Sequence, residues 1–248
     1  MNTTPSTTSR VTIVTGGSGG IGRVTAERLA ADGQNLAIIY AGNDVTAKNV
    51  VEDITAAGGS AVAIKADVAD ETAMAEAFHT VERHFGGVDV VVHAAGIMLL
   101  SPLADLDLAD LDRMHRVNIR GTFVVNQQAA RRVRSGGAII NLSSTVVKLA
   151  LPTYAAYAAT KGAVDAVSLI LAKELHGRDI TVNAVAPGPT ATPLFLDGKD
   201  EATIEHMASL NPLGRLGVPG DIAEVVSFLA GPGRWINGQT IYANGGVA

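Results

Sequence analysis

The 248-residue chain contains no cysteine. That excludes disulfides, thiolate nucleophiles and Cys-ligated metals, and it fits a cytosolic home. Aromatic residues are scarce, at 4% with a single Trp. The core must therefore close with small aliphatic side chains, as it does when helices layer on a buried sheet. No basic stretch suits nucleic acid. The formal net charge is −5, and Arg131, Arg132 and Arg134 form only a brief cluster, expected at a helix end. Long apolar runs are missing as well: Val88 to Leu100 is among the longest and is interrupted by Asp89 and His93. No membrane span is expected. Residues 1–10, rich in Thr and Ser, lack the apolar core of a secretory signal and are expected to form a flexible N-terminus. A cytoplasmic location follows as an expectation.

What the chain does have is alternation. Strands are predicted at Val11–Thr15, Asn35–Tyr40, Ala61–Ala66, Val88–Ala94, Gly137–Ser143, Ile180–Ala186 and Thr240–Tyr242. Helices are predicted at Gly20–Asp32, Asp44–Ala57, Asp70–Phe85, Leu108–Arg134, Tyr154–His176 and Gly220–Leu229. Uninterrupted apolar strands alternating with helices imply an α/β fold with a doubly wound parallel sheet and helices on both faces. Residues 11–248 are expected to be a single domain. The irregular part, 187–219, carries five prolines around a short helical stretch near Glu201–Ser209, and long loops in such domains tend to be lids or binding loops.

The first strand runs straight into Gly16-Gly17-Ser18-Gly19-Gly20-Ile21-Gly22, with a helix behind it. Glycine allows a tight turn and lets a pyrophosphate approach backbone N–H groups, and the helix N-terminus stabilises the anion. An ordinary tight turn does not need so many glycines. The segment resembles the TGxxxGxG loop of the short-chain dehydrogenase/reductase family, through Thr15-Gly16 and Gly20-Ile21-Gly22. The resemblance implies a Rossmann fold and a nicotinamide cofactor.

Tyr157 and Lys161 stand four apart on one helix face. A nearby cation favours phenolate and lowers the phenol pKa, as acid–base work near neutrality requires. An isolated pair of this kind is usually surface packing, but this helix follows a strand ending in Asn141-Leu142-Ser143-Ser144, and open α/β sheets bind ligands outside their carboxyl strand ends. In the family the catalytic serine lies thirteen residues before the tyrosine, which selects Ser144. The resemblance implies that Ser144 orients the carbonyl and Tyr157 donates or accepts the proton. Lys161 is implied to lower the Tyr157 pKa and bond the nicotinamide ribose. Asn118, in Val117-Asn118-Ile119, resembles the helix asparagine that holds a relay water; a buried, satisfied polar side chain is compatible with that role. Tyr154 has no lysine four residues on and is expected to line the pocket or pack.

The likeness runs from about Val11 to Gly246. Asp67-Val68 looks like the adenine contact, and Asn183-Ala184-Val185-Ala186-Pro187-Gly188 like the motif after the sixth strand. Thr192 matches the threonine that meets the carboxamide, and Pro212 to Leu216 with Ile236 to Gln239 resembles the C-terminal signature. Contacts to the cofactor are thus expected from Gly16, Ser18, Gly20, Ile21, Gly22, Tyr40, Asn43, Asp67, Val68, Ala95, Gly96, Tyr157, Lys161, Pro187, Gly188 and Thr192. Two positions depart from the pattern. The usual NNAG is His93-Ala94-Ala95-Gly96, and the usual Asp before the last Gly-Gly is Asn244. His93 is expected to be a satisfied strand-end histidine, since no partner stands at metal spacing; no metal is expected.

An acidic residue at the end of the second strand would bind the ribose hydroxyls of NAD and repel a 2′-phosphate. Here Tyr40-Ala41-Gly42-Asn43 comes first and Asp44 follows, so NADP is expected over NAD, with donors from Gly42 and Asn43. Leu99, Leu100, Val146, Val147, Leu149, Leu151 and Tyr154, with residues 189–211, are candidates for an apolar substrate wall. The expected activity is interconversion of a ketone and a secondary alcohol. The alternatives are a 3-oxoacyl-(acyl-carrier-protein) reductase, docked by Arg120, Arg131, Arg132 and Arg134, and a non-catalytic NADP-binding sensor. The resemblance implies a homotetramer paired through the two long helices.

Overall fold

Seven strands, most of them runs of Val, Ile and Ala, are β1 (Val11–Thr15), β2 (Asn35–Tyr40), β3 (Ser60–Lys65), β4 (Val88–His93), β5 (Val133–Leu142), β6 (Thr181–Pro187) and β7 (Thr240–Ala243). They form one sheet in the order β3-β2-β1-β4-β5-β6-β7, parallel throughout. The computed structural model describes residues 9–248; most of the segment expected to be a flexible N-terminus lies outside the described residues.

Helices α1 (Gly20–Ala31), α2 (Asp44–Ala56), α3 (Glu71–Phe85), α4 (Leu108–Met114), α5 (Gly121–Arg132), α6 (Val146–Leu149), α7 (Ala155–Glu174), α8 (Pro193–Leu196), α9 (Glu201–Ser209) and α10 (Pro219–Ala230) complete the fold. Strand residues alternate between the faces. Val14 and Ile38 pack under Leu29 of α1, Val50 of α2 and Leu229 of α10. Ile13 and Ile39 pack under Phe78 of α3, Val125 of α5 and Leu171 of α7. Both faces are therefore covered, as the continuous apolar strands require. The strand order reverses between β1 and β4, which opens a crevice at their carboxyl ends.

Several elements differ from the sequence expectation. Leu108–Arg134 is not one regular helix: a π-helical segment, His115–Arg120, separates α4 from α5, and such insertions are frequent at functional sites. β5 begins at Val133, with a register shift against β4 between Val88 and Val90. Arg134 is thus a strand residue, paired with Asp89 at 2.6 Å, and not part of a helix-end cluster. Helices α6 and α8 were not foreseen, being a single turn each. α7 is long and apolar enough to cross a membrane by length and composition, yet one face of it, including Tyr157, Lys161, Val164 and Ser168, is buried within the protein.

Caps explain the helix starts. Asn43 Oδ1 accepts the Val45 N–H and Asp70 Oδ1 accepts those of Thr72 and Ala73. α1 starts without such a cap: its N-cap, Gly19, makes no side-chain bond and its first turn has no acidic residue. Its free N–H groups face the crevice, a ready anion site.

Candidate active site

The crevice holds a pocket of about 390 Å³. One wall is the glycine loop, with Gly16, Ser18, Gly20, Ile21 and Gly22; Ala95 and Gly96 close the floor, and Pro187, Gly188 and Thr192 form the opposite rim. Two glycines are sterically compelled. Gly16 has φ +67°, and a Cβ there would stand 2.9 Å from the Ala95 backbone; a Cβ on Gly22 would run into the Gly16 carbonyl oxygen. The packed loop presents bare backbone below the uncapped α1 terminus, which fits a dinucleotide pyrophosphate.

Ser144, Tyr157 and Lys161 converge on the same pocket. The hydroxyl of Ser143 donates to the Lys161 carbonyl at 3.3 Å, whereas Ser144 Oγ accepts the Val146 N–H at 3.3 Å and stands beside the Tyr157 phenol. Tyr157 is 8% exposed and Lys161 6%. Burial pushes the phenol up to about 12, against the pull of Ser144, and pushes the ammonium down to about 8, against the pull of Asp165. Burial is thus the largest influence on the phenol in this structure. Lys161 Nζ donates to the Leu142 carbonyl at 2.7 Å and lies 5.7 Å from the Tyr157 ring centre, and desolvation of the phenol dominates.

Asn118 lies behind the pocket rather than in its wall. Its Oδ1 accepts the Ile97 N–H at 2.9 Å; its Nδ2 donates to the Ile97 carbonyl at 2.8 Å and to Thr160 Oγ1 at 3.1 Å. Gly96 separates it from the lysine: a Cβ on Gly96 would be 3.3 Å from Asn118 Oδ1 and 3.6 Å from Lys161 Nζ. Tyr40, Asn43, Asp67 and Val68 are likewise outside the pocket wall, at the ends of β2 and β3 or just beyond. Asp67 is engaged by Arg116 at 2.9 Å. The parallel register sets Lys65 beside Tyr40, and Lys65 pairs with Asp44 at 2.8 Å. That lysine could not be foreseen from the residues following β2, because it arrives from the neighbouring strand.

Most of the remaining wall is apolar, with Met98, Val146, Leu149, Leu151, Tyr154, Leu194, Phe195 and Met207; Ser143, Thr145 and Thr190 add hydroxyls. Met98 was not anticipated. Leu99, Leu100 and Val147 do not line the pocket; Leu99 packs beside Met114 and Val146, and the other two are 37% exposed. Among the described residues Lys161 is the one charged side chain in the wall, and no cluster of three His, Asp or Glu side chains is placed to hold a metal ion. His93 is buried between hydroxyls, with Nδ1 2.8 Å from Thr15 Oγ1 and Nε2 3.1 Å from Thr122 Oγ1.

A glycine cradle on an uncapped helix, opposite a Ser-Tyr-Lys cluster at the switch point of a parallel sheet, defines a nicotinamide-dependent oxidoreductase of the Rossmann class. Sequence comparison agrees. A family model described as enoyl-(acyl carrier protein) reductase matches residues 16–248. A short-chain type dehydrogenase/reductase of Picea abies is 42% identical over 248 residues, covering 96% of this chain and 92% of the relative. An NADPH-dependent aldehyde reductase-like protein, chloroplastic, of Arabidopsis thaliana is 40% identical over 252 residues, covering 96% and 93%. Among solved structures, a short-chain dehydrogenase from Burkholderia cenocepacia in complex with NADP superposes with a TM-score of 0.90 at 39% identity, covering 96% and 97%. The chain belongs to the short-chain dehydrogenase/reductase family and is a dehydrogenase/reductase enzyme.

Proposed function

We propose that the chain is an NADP-preferring carbonyl reductase that converts an apolar ketone to a secondary alcohol. The observation that carries this reading is the convergence of Ser144, Tyr157 and Lys161 on a pocket whose remaining wall is mostly apolar. When bound, the reduced nicotinamide supplies the hydride. Ser144 donates a hydrogen bond to the substrate carbonyl oxygen and holds it beside the Tyr157 hydroxyl. Tyr157 donates its proton to that oxygen as charge develops. A phenol held protonated by burial suits this direction, because the alkoxide it protonates is a stronger base than phenolate. Lys161, titrating near 8, resupplies the proton close to the working pH, and Asn118 sustains the water path behind it. Lys161 also hydrogen-bonds the cofactor ribose. Gly16, Ser18, Gly20, Ile21 and Gly22 take the pyrophosphate; Asp67, Val68, Ala95 and Gly96 take the adenosine side; Pro187, Gly188 and Thr192 take the nicotinamide side.

The cofactor preference rests on the end of β2. No carboxylate precedes Asp44, and Asp44 is neutralised by Lys65. Asn43 uses its Oδ1 on the Val45 N–H, which leaves its amide N–H groups to meet a 2′-phosphate, with Tyr40 alongside. The Arabidopsis relative named NADPH-dependent and the NADP-bound structural neighbour support the same preference.

Residues 11–248 act as one domain in this reading, with 187–219 as the substrate lid. Phe123 on α5 and Leu169 and Ile170 on α7 are 57%, 41% and 58% exposed, an apolar face that a homotetramer would cover. The acyl-carrier-protein alternative is weakened because three of its four intended docking arginines are already paired, Arg120 with Glu71, Arg132 with Glu82 and Arg134 with Asp89, which leaves exposed Arg131. A non-catalytic sensor would have no use for a buried Tyr–Lys pair.

The test is absorbance loss from NADPH and from NADH with a panel of ketones, aldehydes and acetoacetyl thioesters, alongside light scattering for assembly and cell fractionation for a cytoplasmic placement. Preferred turnover of apolar ketones with NADPH supports the proposal. Tight NADPH binding without turnover on any carbonyl overturns it.

A further inference from the structure

β1 ends in Thr15 and β4 in His93, and the parallel register sets the two side by side. His93 stands where the family pattern has an asparagine. It is sealed, 3% exposed, between Thr15 at 0% and Thr122 at 1%. Burial, and then the charge of Lys161, push its imidazole down to about 3. The ring is therefore neutral at any working pH and carries one N–H.

Which nitrogen carries it follows from the partners. Thr122 donates its one hydroxyl proton to the Asn118 carbonyl at 2.6 Å, so toward His93 it can only accept. Nε2, 3.1 Å from Thr122 Oγ1, is the protonated nitrogen. Nδ1 is then bare and accepts the Thr15 hydroxyl proton at 2.8 Å. Thr15 Oγ1 in turn accepts the Ala95 N–H at 3.3 Å. The four bonds run one way, from Ala95 N–H through Thr15, His93 and Thr122 to the Asn118 carbonyl. The row ties the strand that feeds the glycine loop to the π-helical segment that carries Asn118. The Asn118 side chain then bonds Thr160, whose hydroxyl donates to the Tyr157 carbonyl at 2.7 Å.

We infer that His93, as the neutral Nε2–H tautomer, is a positioning residue of the active site: through Thr122 it orients the Asn118 carbonyl and so the proton path behind Lys161. This rests on the role proposed for Asn118 in proton resupply. A merely space-filling residue at 93 would be replaceable by any side chain of similar volume. A positioning residue must bring a donor to Thr122 Oγ1. Asparagine places a polar atom near the Nδ1 position but is too short to reach Thr122, whereas glutamine carries a donor to the Nε2 position.

The first measurement is two-dimensional nitrogen–proton NMR of the histidine-labelled full chain. The resonance lost in His93→Gln is expected to show the Nε2–H pattern and no titration between pH 5 and 8. An Nδ1–H pattern, or a titration in that range, overturns the inference. The second is steady-state kinetics. Thr122→Val and His93→Asn are expected to lower kcat by about tenfold, with a larger solvent isotope effect and the KM for NADPH held within about twofold. Thr122→Ser and His93→Gln are expected to stay within about threefold of wild type. Asparagine performing as well as glutamine, or valine as well as serine, overturns it. Wild-type protein that turns over no carbonyl would instead sink the proposed reaction, and the NMR measurement still decides the tautomer.

Discussion

Tyr157→Phe removes one oxygen and leaves the ring in its packing beside Met114, Val146 and Ala156. The phenol hydroxyl is buried, and the hydrogen bond open to it is with the neighbouring Ser144, which stands at the pocket and keeps access to water. Loss of one such bond changes stability by about 1 kcal/mol, so the variant folds. Its effect on turnover is much larger. Loss of a positioned general acid costs about 10² to 10⁴ in rate, or roughly 3 to 5 kcal/mol of transition-state stabilisation. No other wall residue takes its place in this reading: Ser144 is a far weaker acid, and Lys161, bonded to the Leu142 carbonyl at 2.7 Å, acts through Tyr157. The assay is NADPH consumption with the best ketone of the panel, together with NADPH affinity by fluorescence. The expected result is a kcat reduced at least a hundredfold with affinity unchanged within about threefold. A variant keeping more than about a tenth of wild-type kcat would refute the assignment of Tyr157 as the acid.

Gly22→Ala places a methyl against the Gly16 carbonyl oxygen and 3.2 Å from Gly17 Cα, so a stability loss of about 1 to 3 kcal/mol and a weaker NADPH complex are expected in urea titration and fluorescence; unchanged affinity would count against the cradle. Asn43→Asp keeps the α2 cap, since Asp caps as well as Asn, but sets a carboxylate where a 2′-phosphate is proposed. The KM for NADPH should rise about tenfold with that for NADH unaffected, and equal changes for both cofactors would exclude the assignment. His93 predicts acid lability with a definite sign. Its folded pKa, about 3, lies below the ordinary 6.5, so between these values the unfolded chain binds the extra proton. Stability is complete above pH 6.5 and is lost as pH falls toward 3, by on the order of a few kcal/mol. Urea titrations at pH 7, 5 and 4 should show a shallower decline in His93→Gln, and parallel declines would contradict the buried neutral ring.

Much of the fold was legible because its signals are local. The apolar runs Val11–Thr15 and Asn35–Tyr40 appear at the predicted bounds as β1 and β2, since buried parallel strands need no polar alternation. Asp70 before α3 and Gly86 after it mark that helix with its own capping chemistry. The glycine loop was legible for the same reason: five glycines between a strand and a helix have few physical uses. The π-helical segment was not, because a helical period cannot register one inserted residue. Nor was the early start of β5 at Val133, whose partner Val88 is 45 residues away.

At the site, the sequence by itself determined the chemistry on offer: a glycine cradle after the first strand, a hydroxyl after the fifth, a phenol and an ammonium on one helix, and no thiol. Spacing alone put Tyr157 and Lys161 on one helix face. The tertiary structure decided the electrostatics and the neighbours. Burial is the largest influence on the phenol, because desolvation depends on everything packed around a group. Lys65 reached the end of β2, and His93 found its two hydroxyls, because parallel pairing and helix packing bring together residues that no local pattern connects.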